Sequence, residues 1–204
     1  MAFLFQHPIL RQSFAIIDAE IGSHDFTDSE YAVVRRVIHS TADFDFKQEL
    51  QFSTTAIAAA KTALAAGSPL ILDVNMIKQG IRTMVSRTFQ NPVVVAVDQA
   101  KAALPGKTRT ATGMLTCCRQ YPTGIYVIGN APTALSVLCE AIAAGTVQPA
   151  LVVGVPVGFV GVEAAKAQLA HLDVPQILVN GRKGGSSVAA AIVNALLVLA
   201  WESS

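Results

Sequence analysis

The chain has 204 residues and a formal net charge of +1, with hydrophobic residues at 52% and charged ones at only 14%. The length suits one domain, 1–204, large enough to bury most of its apolar surface around a single core, and the near-neutral charge excludes a global attraction to nucleic acid or anionic lipid. The longest apolar stretches are broken by Pro156, Gly158, Gly161 and Glu163, or by Asn194, so none reaches the roughly 20 residues a membrane-spanning helix requires.

The opening string MAFLFQHPILRQ has no basic residue ahead of its short apolar patch and no cleavage-like run after it, which argues against a secretory leader and makes the cytoplasm the default. Helices are predicted over 12–20, 27–39 and 53–66, the second opened by Thr27 and Glu30 as a capping box. These N-terminal helices suit a cap or a dimer surface. A chain this rich in apolar and poor in charged residues is expected to hide surface in an oligomer.

Five apolar runs then follow at even spacing: SPLILDV (68–74), PVVVAV (92–97), GIYVIGN (124–130), PALVVGV (149–155) and PQILVN (175–180). Each reads as a strand buried on both faces. Alanine-rich helical segments lie among them, including 131–144, 162–171 and 187–200, so the expectation is an α/β fold with a five-stranded parallel sheet covered by helices. Cys117, Cys118 and Cys139 are odd in number and lack CxxC spacing, which makes them buried small residues rather than disulfide partners or zinc ligands.

In open parallel sheets, ligands sit beyond the carboxyl ends of the strands, where strand order reverses. The segments there are DVNM (73–76), VDQAK (97–101), GNAPT (129–133), PVGF (156–159) and NGRKGGSS (180–187). GNAPT and GRKGGSS place hydroxyls and small residues at helix N-termini, where free N–H groups and the helix dipole attract a phosphate or a carboxylate; equally, they suit tight turns that need glycine. Neither has P-loop spacing, and no GxGxxG follows the first strand, which disfavours a nucleotide-binding enzyme.

Arginines at 11, 35, 36, 82, 87, 109, 119 and 182 fall mainly in or beside connecting segments. As planar charge-assisted donors they suit a substrate with many carboxylates, although single arginines are commonly solvated. His39 ends the helix carrying Arg35 and Arg36 in RRVIHSTADF, where a helix C-terminus favours the imidazolium and makes a usable acid; a plain helix cap is the alternative. Without a GxSxG elbow, a carboxylate pair or a histidine cluster with metal-ligand spacing, the chemistry points to isomerisation rather than hydrolysis.

Taken together, RQSFAII (11–17) with Glu20, RRVIHS (35–40), DVNMIKQGI (73–81), KTRT (107–110), GNAPTAL (129–135), PVGFVG (156–161), GRKGGSS (181–187) and AAAIVNAL (189–196) resemble the precorrin-8X methylmutase family, including its cobalt-precorrin-8 branch. The resemblance covers almost the whole chain. It implies a three-layer flavodoxin-like sandwich, a homodimer with substrate pockets near the subunit interface, and migration of a methyl group from C-11 to C-12 of a tetrapyrrole, with neither a redox cofactor nor an enzyme-bound metal.

The family's proposed general acid falls on His39. Ser13 and Arg36 match substrate-contacting positions, and Arg109, Thr133 and Ser186 are further anchors for the acetate and propionate arms. A non-catalytic tetrapyrrole carrier of the same fold is the competing expectation. Two strings depart from the family pattern: Asn75 stands where relatives often carry an acidic residue in D-x-E-M, and VEAAK follows PVGFVG in place of A-x-E-S-K.

Overall fold

The computed structural model describes residues 7–204. The expectation about a leader rests on residues 1–12, of which 1–6 lie outside the described residues. The three helices predicted ahead of the first buried run are α1 (Pro8–Glu20), α2 (Asp28–Thr41) and α4 (Ala56–Ala65). In α2 the capping box forms as expected: Glu30 N donates to Thr27 Oγ1 at 3.3 Å, and Thr27 N to Glu30 Oε2 at 2.9 Å. Between α2 and α4 lie two elements that the periodicity does not reveal, the one-turn α3 (Phe46–Glu49) and the three-residue β1 (Leu50–Phe52).

The five apolar runs become β2 (Leu70–Leu72), β3 (Val93–Val95), β4 (Ile125–Ile128), β5 (Leu151–Gly154) and β6 (Gln176–Val179), each parallel to its neighbours among the five. β1 joins them by pairing antiparallel with β6, Leu50 opposite Val179 and Phe52 opposite Ile177. The sheet is therefore six-stranded and mixed, in the order β1-β6-β5-β4-β2-β3, which corrects the expected five-stranded parallel sheet. The reason is local: Leu50–Phe52 is too short to show alternation, and its pairing is set by α3 delivering the chain to the open edge of β6.

Every residue of β2, β4, β5 and β6 is buried, because helices cover both faces. Ile71, Tyr126, Ile128, Val152 and Leu178 face α6 (Arg109–Gln120), α7 (Pro132–Ala143) and α8 (Val162–Ala170). The alternate residues, among them Leu72, Val127, Val153 and Ile177, share a core with α2, α4, α5 (Asn75–Arg87) and α9 (Ser186–Glu202). α9 is buried along most of its length, which accounts for its lack of a polar face. Among the described residues no helix is long and apolar enough to cross a membrane. The three cysteines are free and buried, and burial pushes the Cys118 thiol up to about 11.

Candidate functional site

The strand order reverses between β2 and β4, and a single buried carboxylate bridges the gap. Asp73, just beyond β2, is fully buried; its Oδ2 accepts from the N–H groups of Asn130 and Ala131 at 2.7 Å and its Oδ1 from Gly129 N at 3.2 Å. Burial pushes this carboxyl above its usual range, and the backbone donors pull against that shift. The GNAPT loop is thus fastened to the loop after β2. Next to it, Asn75 donates to both oxygens of Asp98 at 3.0 Å, so this amide holds the segment after β3.

Thr133, in the first turn of α7, shares a 2.8 Å hydrogen bond with Thr108, the N-cap of α6. Both line a cleft of about 580 Å³ with Gly106, Lys107, Glu140 and Val160. Arg109 directs Nε to the Val97 carbonyl at 3.2 Å, beside this cleft in sequence but not in its lining. Ser186 is buried at the start of α9; like α7, that helix begins without a side-chain cap.

The loops after β5 and β6 are stitched together: Gly185 N donates to Val155 O at 2.9 Å and Gly158 N to Arg182 O at 3.2 Å. Gly184 has φ +144, and a Cβ there would lie 2.2 Å from the Val155 carbonyl oxygen, so this close approach requires glycine. Between these anchors the tip Phe159–Val160 stands in solvent, the two residues 86% and 88% exposed, with Arg182 over the Phe159 ring.

His39 and Ser13 come together on the N-terminal helices. They line a pocket of about 220 Å³ with Ile16, Ile17, Glu20 and Phe44, and the imidazole meets the Phe14 ring edge-on at 5.6 Å. His39 is exposed in the last turn of α2. The adjacent arginines divide their work. Arg35 is committed to Asp18 at 3.0 Å and stacks over Phe14 at 4.4 Å. Arg36 is half-buried in a neighbouring depression between α1, α2 and α9, with no hydrogen-bond or ion-pair partner among the described residues; burial, and then Arg35, hold its guanidinium below its usual value. The six predicted residues therefore do not form one cluster: Ser13, Arg36 and His39 gather at α1 and α2, whereas Arg109, Thr133 and Ser186 lie along the carboxyl edge of the sheet.

Three side chains, two of them within the strand-end segments singled out above, take roles that no spacing assigns. Asp73 is one. The others are Lys166 and Lys183. Lys166 is 3% exposed, and its ammonium donates to the carbonyls of Gly181 at 2.8 Å and Lys183 at 2.7 Å. Burial pushes it down to about 8, against the carboxylates of Glu49 and Glu163. Its position carries a signal, because Val162, Ala165, Lys166 and Leu169 form the buried i, i+3, i+4, i+7 face of α8.

The precorrin-8X methylmutase family matches residues 8–199. A cobalt-precorrin-8 methylmutase from Synechocystis sp. is 56% identical over 96% of this chain and 97% of its own length. A precorrin-8X methylmutase from Pseudomonas aeruginosa is 40% identical over 92% of this chain and 93% of its own. Among solved structures, a precorrin-8X methyl mutase from Thermus thermophilus superimposes with a TM-score of 0.88 at 39% identity, covering 97% of this chain and 99% of that one. Matched by the family over residues 8–199 and similar to these members over nearly its whole length, the chain belongs to the precorrin-8X methylmutase family.

Proposed function

We propose that this chain is an isomerase of cobalamin biosynthesis that moves a methyl group from C-11 to C-12 of precorrin-8X or cobalt-precorrin-8, with His39 as general acid. The observation that carries the assignment of the acid is the pocket shared by His39 and Ser13, one residue from the edge-on ring of Phe14 and three from the unpartnered Arg36. His39 lends a proton to the macrocycle, which draws electron density from the conjugated system and lowers the barrier to migration; the proton returns as the product's conjugation is re-established, so no atom is gained or lost. A positioned acid of this kind is worth ~10²–10⁴ in rate.

Arg36, Arg109 and the helix N-termini at Thr133 and Ser186 serve as anchors for the carboxylate arms, and the exposed Phe159–Val160 tip suits an apolar ring face. The order β3-β2-β4-β5-β6, with helices on both faces, supports reading 1–204 as one three-layer, flavodoxin-like domain. The exposed Ile9 and Ile16 on α1, with the low charge content, support a homodimer, and the cytoplasm remains the expected location. The identities of 56% and 40% favour the cobalt-bearing substrate.

His39→Gln is the test. Turnover is expected to fall by at least ~10², with affinity for the tetrapyrrole retained and the unfolding temperature unchanged. Undiminished turnover removes His39 from the chemistry.

A further inference from the structure

α2 ends in a corner that carries no glycine. Ala42 takes the left-handed conformation at φ 54, and its N–H closes the helix on the Ile38 carbonyl at 2.8 Å. Asp43 N then donates to Thr41 Oγ1 at 3.3 Å, and Asp45 N to Asp43 Oδ1 at 2.9 Å. The corner thus presents two carboxylates on one side, four and six residues beyond His39. Both are taken by one ammonium: Lys183 Nζ lies 2.7 Å from Asp43 Oδ2 and 2.5 Å from Asp45 Oδ2.

Lys183 belongs to the loop after β6, and that loop is itself fixed. The buried ammonium of Lys166 holds the carbonyls of Gly181 and Lys183, and Asn180 N donates to the Glu49 carbonyl at 2.8 Å. Gly185 and Arg182 tie it to the loop after β5. As a source of stability the double ion pair is weak, since all three side chains are partly exposed. Its geometric effect is larger. It joins the helix end that bears His39 to the loops that open α9 and α8, elements far apart in sequence.

We propose that Lys183 is a positioning residue for His39: through Asp43 and Asp45 it latches the end of α2 to the GRKGG loop and sets the distance between the imidazole and whatever those loops hold. The inference rests on the reading of His39 as the general acid. Misplacement of an acid by about 1 Å is enough to cost ~10²-fold in rate. With the latch broken, the fold and the other carboxylate anchors remain, while the approach of the proton donor loosens.

Lys183→Met, Lys183→Arg and the double variant Asp43→Asn/Asp45→Asn are compared in steady-state turnover of the methyl shift, with His39→Gln alongside and the His39 imidazole followed by NMR. In Lys183→Met a fall of about one to two orders of magnitude in kcat is expected, with KM changed by less than about threefold. Also expected are a similar fall in the double Asn variant, no further loss when the two are combined, partial rescue by Lys183→Arg, and a displaced His39 signal. An unchanged kcat in folded Lys183→Met overturns the latch. So does a rise in KM alone, which makes Lys183 a substrate anchor, and so do additive losses. If His39→Gln is inactive while Lys183→Met is normal, only the latch falls; if His39→Gln is fully active, the general-acid reading falls first.

Discussion

Replacing Asp73 by Asn is the most direct probe of how the sheet's crossover point is held. The carboxylate accepts three backbone N–H groups, two at 2.7 Å on Oδ2 and one at 3.2 Å on Oδ1, with no exposure to water. An asparagine keeps one oxygen. Placed at Oδ2 it preserves the bonds from Asn130 and Ala131 but turns its NH₂ against Gly129 N–H, leaving that buried donor unmet at a cost of about 1–3 kcal/mol. The two surviving bonds lose their ionic character, at about 0.5–1 kcal/mol each, since charge-assisted bonds are roughly twice as strong. Relief from burying a charge offsets part of this, because burial already disfavours the anion. The net loss is about 2–3 kcal/mol. Urea unfolding at pH 7 measures it as a lower midpoint at unchanged m, and a loss below about 0.5 kcal/mol refutes the idea that Asp73 holds the GNAPT loop.

Other substitutions test other parts of the account. In Gly113→Ala, the new Cβ would stand 1.7 Å from the Ala96 carbonyl oxygen, so α6 must move off the turn after β3; a loss of about 3 kcal/mol or more, or about 6–12 °C in Tm, is expected by calorimetry. For Lys166, a folded pKa of about 8 against an ordinary 10.5 means that the folded protein binds fewer protons than the unfolded chain between those values, so its stability contribution rises from pH 8 to 10.5. Denaturation at several pH values therefore shows wild type gaining on Lys166→Met across that window, by on the order of 3 kcal/mol at most. Arg36→Met removes an unpartnered guanidinium and is expected to raise KM about tenfold with little change in kcat, measured by initial rates.

How much of this was legible in the residues depends on how many neighbours share a pattern. The five strands stand out because β2, β4, β5 and β6 are buried on both faces and so require unbroken runs such as LIL and IYVI. Thr27 with Glu30 announces the start of α2 for the same reason, since a cap is a local contact. β1 is hidden because three residues, Leu50–Phe52, carry no period and their strand state depends on the edge of β6. Asp73 and Lys166 are hidden differently. In each case the partners are backbone groups brought close only by the fold: Asp73 reaches residues 129–131, and Lys166 reaches 181 and 183. The division of Arg35 from Arg36 likewise follows from Asp18 on α1, which no spacing within α2 reveals.

The most direct test of the central claim is anaerobic incubation of the purified protein with cobalt-precorrin-8, and separately with precorrin-8X, each in excess over sites, with the product identified by mass and NMR. The expected result is conversion well beyond one equivalent to an isomer of unchanged mass carrying the methyl group at C-12. A spectral change that stops at one equivalent with both substrates and yields no isomer on release contradicts it, and makes the chain a carrier.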